Sequence, residues 1–155
     1  MPNYNFKKDL KVSESTEKDI ARRLYKVYGA RLLEINKTNK YDLRVLIQRK
    51  ETTIEVKEDF SCEKTQNVGL EFSCRGKPSG IEVSQAEYYL YKIHTKDSGI
   101  VYLLFKTAIL KDMIKNKKYF RIVNGGDKGS NSMNYLFKYE EFIKSGNILP
   151  LDRIK

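Results

Sequence analysis

Two stretches of alternating character, Tyr41 to Gln48 and Thr52 to Glu58, flank the polar triplet Arg49-Lys50-Glu51. Side chains of a strand point to opposite faces in turn, so a period of two sustained over seven or eight residues predicts strands rather than a helix. The triplet is too short for a crossover, which makes the pair an antiparallel hairpin. Leu43, Val45 and Ile47 on one strand and Ile54 and Val56 on the other must face one core. Thr53, Glu55, Lys57 and Asp59 then share the opposite face. Pairing Leu43 with Val56 and Val45 with Ile54 places Asp42 across from Lys57 and diagonal to Glu55, within reach of cross-strand neighbours.

The segments around this hairpin predict an α/β chain. Glu17, Ile20, Ala21, Leu24 and Tyr28 recur at helical spacing between Ser13 and Gly29, with Ser/Thr residues in front as caps and glycine behind as a stop. Val68, Leu70, Phe72 and Cys74 alternate along a further strand, with Glu71 on its other side. Gly76 to Gly80 forms a turn cluster, and Ser84 is expected to cap a helix running to about His94. The apolar run Ile100 to Phe105 predicts a strand covered on both faces. A helix over Thr107 to Lys115, a strand over Tyr119 to Val123, a glycine-rich polar loop from Asn124 to Asn134 and a helix over Tyr139 to Ser145 complete the chain. The expected architecture is a mixed central sheet in the order αβββαβ over residues 13–105, plus a small C-terminal α/β extension over 106–155.

Composition narrows the class. A length of 155 residues, 40% hydrophobic, with seven Phe and eleven Tyr, suffices for one domain with a proper core and excludes disorder throughout. Thirty Lys+Arg against twenty Asp+Glu leave a charge of +10, so a polyanionic partner is expected, nucleic acid before a membrane surface. No helix combines a strong apolar face with a continuous basic one, which argues against the membrane. Two cysteines, Cys62 and Cys74, are too few for a disulfide framework. The N-terminus has no signal-peptide pattern, and the longest apolar run is Ile100 to Phe105, so a soluble cytoplasmic protein is expected. A single histidine, His94, excludes a His-rich metal site. The glycine-rich loop lacks the order of a phosphate-binding loop, so no nucleotide cofactor is expected.

Two mutually repelling carboxylates beside a lysine suit a hard divalent cation, Mg²⁺ or Mn²⁺, which takes oxygen ligands and keeps several waters. Glu71 projects on the polar side and could join them. At these residues, Tyr41-Asp42-Leu43 followed by Ile54-Glu55-Val56-Lys57, the sequence resembles the PD-(D/E)XK nuclease superfamily, with Tyr41 in the place of the motif's proline. It resembles most the small phage-type branch, whose further elements read here Thr65-Gln66-Asn67-Val68-Gly69-Leu70-Glu71 and Ser79-Gly80-Ile81. The resemblance covers residues 13–105. It implies a restriction-endonuclease-like core and a Mg²⁺-dependent DNA endonuclease, similar to Holliday junction resolvases of phage DNA recombination and repair. The implied metal ligands are Asp42, Glu55 and the Val56 carbonyl; Lys57 would orient or deprotonate the attacking water. In resolvases a first-helix carboxylate often completes the site, and Glu17 fits it better than Asp19. Gln85 and Tyr89 match a Q-x-x-x-Y spacing of RecB-like members. Lys77, Ser79, Gln85 and Lys92 are the candidate substrate contacts. A resolvase would be a homodimer, since two strands must be cut. The rival expectations are a non-catalytic DNA-binding module and a restriction- or repair-type nuclease acting on linear DNA.

Overall fold

Helix α1 (Phe6–Tyr28) buries Ile20 and Leu24, one turn apart, and stops where Gly29 takes φ +69° and donates its N–H to the Tyr25 carbonyl at 2.8 Å. A left-handed residue closing that bond is the helix stop glycine provides without strain. The computed structural model describes residues 6–36, 40–125 and 131–148. Residues 126–130 of the glycine-rich loop lie outside them. After α1 come β1 (Arg31–Ile35), β2 (Leu43–Ile47), β3 (Lys50–Asp59), the single-turn α2 (Cys62–Thr65), β4 (Asn67–Cys74), β5 (Lys77–Pro78) and a 3₁₀ turn (Gly80–Glu82). Then follow β6 (Tyr88–His94), β7 (Ile100–Lys106), α3 (Thr107–Lys115), β8 (Arg121–Gly125), β9 (Ser132–Lys138), α4 (Tyr139–Lys144) and β10 (Asn147–Ile148).

The protein is an α/β fold with two sheets. The mixed sheet runs β1-β2-β3-β6-β7 and gains the two-residue β10 at one edge; the antiparallel sheet runs β5-β4-β9-β8. Within the mixed sheet β3 and β6 are parallel, Ile54 to Asp59 against Tyr88 to Ile93. That sheet has a core on each face. Against α1 lie Leu43, Val45, Ile54, Leu90 and Tyr102. Against the second sheet lie Tyr89, Tyr91, Ile93, Leu103 and Phe105, which meet Val68, Leu70, Phe137 and Phe142. β7 is thus covered on both faces, as its unbroken apolar run predicts.

The hairpin is tighter than its sequence suggests. Gln48 (φ 49°) and Arg49 (φ 66°) form a two-residue turn, with Lys50 and Glu51 already in β3. Two left-handed residues match the right-handed twist of the strands. Leu43 therefore pairs with Ile54 and Val45 with Thr52, a shift of two from the expected register. A shift of two preserves every side chain's face, and only the cross-strand partners change.

The expected helix from Ser84 to His94 is instead the irregular approach to strand β6. Tyr89, Tyr91 and Ile93 enter one core while Tyr88 and Leu90 enter the other. A strand buried on both faces has too little polar alternation to announce itself. β3 and β7 take up its backbone on both sides. Ser84 caps no helix; its hydroxyl accepts the Ala86 N–H at 3.2 Å. His94, read as a helix-end residue, closes β6. The crossover from β3 to β6 is made by α2, β4, β5 and the 3₁₀ turn in place of a long helix, and β4 belongs to the second sheet. The third antiparallel strand of the first sheet is β1, which the sequence reading missed. Also missed was β9, which pairs with β4 and β8 while β10 pairs with β7, so the strands after α3 join both sheets.

Candidate active site

β2 begins one residue after Asp42, while its partner β3 runs on past the residues paired with β2 to Asp59. Asp42 is fixed through its backbone: its N–H donates to the Ile54 carbonyl (3.0 Å) and its carbonyl accepts from the Asn36 N–H (2.7 Å). Its carboxylate Oδ2 accepts the Val56 N–H at 2.7 Å. Asp42 thus meets Glu55 and Val56 rather than Lys57, the consequence of the shifted register. Because Ile54 and Val56 have the same strand parity, the Val56 carbonyl is directed to this same open edge.

Glu55 stands beside Asp42, with Lys57 Nζ 3.4 Å from its Oε1. Its side chain is 14% exposed and its Oε2 is buried with no hydrogen-bond partner. Burial pushes the Glu55 carboxyl up to about 7; the Lys57 ammonium opposes this and the Asp42 carboxylate adds to it. Tyr89, the neighbour of Glu55 on β6, has a fully buried hydroxyl. Burial raises its pKa, a hydrogen bond with Ser84 opposes the rise, and Glu55, Asp42 and Glu71 add to it. A buried carboxylate oxygen that receives no hydrogen bond, beside a second carboxylate, marks a place built for a positively charged guest.

Glu71 lies on β4 in the second sheet. Its Oε2 accepts from the Ser79 hydroxyl (3.0 Å) and its Oε1 from the Ser132 hydroxyl (2.5 Å), which itself accepts from Asn134 Nδ2 (3.2 Å). Ser79 is brought there by Gly80, whose φ is +52° and whose missing Cβ would fall 2.1 Å from the Glu71 carbonyl oxygen. Ser132 and Asn134 carry no local sequence signal, because they meet Glu71 only through the pairing of β9 with β4.

The other candidates are dispersed. Gln85 is exposed, with its N–H on the Lys40 carbonyl (2.8 Å), near Asp42. Lys77 is exposed on β5. Lys92 lies on the α1 face, 3.5 Å from Asp19 Oδ2 and 3.9 Å from Glu58 Oε2. Glu17 is 4% exposed on α1, which packs on the sheet face opposite to Glu55. Asp19 is turned toward Tyr102, Arg23 and Lys92. Burial acts against its ionisation, yet hydrogen bonds from Tyr102 and Arg23 hold its carboxyl below the ordinary value.

Among the described residues no group of three or more His, Cys, Asp or Glu is placed to hold a metal ion. Two carboxylates and a carbonyl nevertheless fit a hard cation that keeps most of its waters, and the orphaned Glu55 Oε2 is an oxygen in want of a positive partner. No protein-family model matches the chain and no curated protein matches it. No helix among the described residues is long and apolar enough to cross a membrane.

Proposed function

We propose that this chain is a divalent-metal-dependent DNA endonuclease of the PD-(D/E)XK type, hydrolysing phosphodiester bonds. The observation that carries the proposal is Glu55, a buried carboxyl with one unpartnered oxygen, set between Asp42 and Lys57 at the open end of a hairpin. The element order supports it: a helix, three antiparallel strands and a strand parallel to the third follow the αβββαβ core in all but its second helix. The charge of +10 supports a polyanionic substrate.

Asp42, Glu55 and the Val56 carbonyl would hold Mg²⁺ or Mn²⁺. When bound, the ion supplies a Lewis acid for the phosphate and lowers the pKa of water toward neutrality. The chain's own work is positioning. The Val56 N–H fixes the Asp42 carboxylate beside Glu55 through its Oδ2. Lys57 orients the attacking water through an N–H donor and offsets charge gathering on the phosphate oxygens. Tyr89 offers a hydroxyl donor beside Glu55. Glu71, with both oxygens held by serine hydroxyls, acts as a fixed negative charge behind the site.

The test is cleavage of labelled four-way junction, linear duplex and single-stranded DNA with Mg²⁺, Mn²⁺ or EDTA, beside Lys57→Ala. Metal-dependent cutting that Lys57→Ala reduces by at least about a hundredfold, with DNA binding kept, supports the proposal. Binding without cutting by the wild-type protein sinks it and leaves a DNA-binding module. Cutting confined to the junction identifies a resolvase.

A further inference from the structure

Among the described residues α1 is the only helix on its face of the mixed sheet, since α2, α3 and α4 contribute to the other core. Five strands about 4.8 Å apart span roughly 20 Å. A helix with its side chains is about 10–12 Å across, so one helix leaves part of such a face bare. Near its middle α1 reaches β7, where the Tyr102 hydroxyl donates to Asp19 Oδ2 (2.7 Å), and its end leads into β1 at the opposite edge. It thus crosses the sheet obliquely. What it leaves uncovered, at the start of β6 and the end of β7, is a cavity of about 520 Å³.

The floor is apolar: Leu24, Ile47, Ile54, Tyr88 and Leu104. Ile47, Tyr88 and Leu104 are half-buried, so an apolar body that displaces water from them gains free energy. The charged side chains that line the cavity are Lys50, Lys106 and Glu87. Glu87 precedes Tyr88, which pairs with Ile54 of β3 on one side and with Lys106 of β7 on the other. It is engaged, its Oε2 accepting the Thr52 hydroxyl at 3.1 Å. Both lysines are exposed, and neither forms an ion pair among the described residues. The rim therefore holds one positive charge in excess. Burial and the nearby Tyr88 push the Tyr28 phenol up, so at neutral pH Tyr28 keeps a proton to donate at the mouth.

We propose that this cavity binds a small, free amphipathic carboxylate, its hydrocarbon body on Ile47, Ile54 and Leu104 and its head at the rim with Lys50 and Lys106. The volume falls within the range of about 300–1,000 Å³ typical of small-molecule sites. A neutral ligand of the same shape would leave both ammonium groups unpaired, and a cationic one would be repelled by them. The site lies on the face of the sheet opposite to Glu55, so it does not depend on the endonuclease reading.

The test is calorimetric titration of the full chain near neutral pH with decanoate, octanoate, decanol and decyltrimethylammonium, each below its micelle concentration. Decanoate should saturate one site. Octanoate, two methylenes shorter, should bind roughly 15-fold more weakly. Decanol should bind more weakly than decanoate, and the cation should not bind. Lys50→Ala with Lys106→Ala, both at exposed positions, should weaken decanoate about 2- to 25-fold and leave decanol unchanged. Leu104→Trp, which fills the cavity, should abolish decanoate binding with Tm kept. No saturable decanoate binding, decanol as tight as decanoate, or unchanged affinity in the double lysine variant overturns the proposal. Self-association by sedimentation that excludes decanoate also overturns it, because a second copy then occupies the face.

Discussion

Glu55 is where function and stability oppose each other. Its carboxyl titrates near 7 in the folded chain against 4.5 as the ordinary value. Below about pH 4.5 it is neutral in both states, and above about 7 it is ionised in both. Between the two the unfolded chain releases its proton first, so native stability falls as pH rises through that window. The loss is on the order of 2–3 kcal/mol, present in full by pH 8. In EDTA, Glu55→Gln should remove this loss: its Tm at pH 8 should exceed that of the wild type, while at pH 4.5 the two should agree. Mg²⁺ at pH 8 should raise the wild-type Tm and leave Glu55→Gln unmoved. Equal melting of the two proteins at pH 8 would mean that the carboxyl is better solvated than its burial implies.

At the scale of elements the hairpin turn is the point of strain. Gln48 and Arg49 both sit at positive φ, where asparagine and glycine are at home. Replacing them together by Asn-Gly should stabilise the fold by about 0.5–1 kcal/mol and raise Tm by a few degrees, without altering cleavage, since the turn lies at the other end of β2 from Asp42. A lower Tm would mean that the Gln48 and Arg49 side chains make contacts worth more than the strain.

The same turn shows what was legible. Alternation alone assigns the faces of Asp42, Glu55 and Lys57, because parity is local. It does not assign their partners, because register depends on a turn whose residues carry no glycine. β6 was hidden for a different reason: with Tyr88 and Leu90 in one core and Tyr89 and Tyr91 in the other, its first half has no polar face, and Ser84 imitates a helix cap. Glu71 was legible as a polar residue on a strand. That it faces Ser132 across 61 residues of sequence was not, since only the pairing of β4 with β9 brings them together.

For the molecule as a whole the decisive quantity is how its charge is distributed. Several acids are engaged near the mixed sheet: Asp19 with Arg23 and Lys92, Glu58 with His94, Glu55 with Lys57. Lys111, Lys115, Lys117, Lys118 and Arg121 by contrast stand exposed along α3 and the approach to β8. A surplus of +10 so arranged attracts DNA chiefly through its phosphates, each neutralised phosphate releasing counterions. If about four phosphates are contacted, the slope of log K against log salt is about −3.6 on duplex, and raising salt from about 50 to 200 mM weakens binding roughly a hundredfold. Lys57→Ala removes at most one such contact, so its slope should differ from the wild type by no more than about 0.9 while its cleavage is lost. The measurement is duplex affinity by anisotropy in EDTA across that salt range. A slope near zero would remove nucleic acid as the partner, and the endonuclease would fall with it.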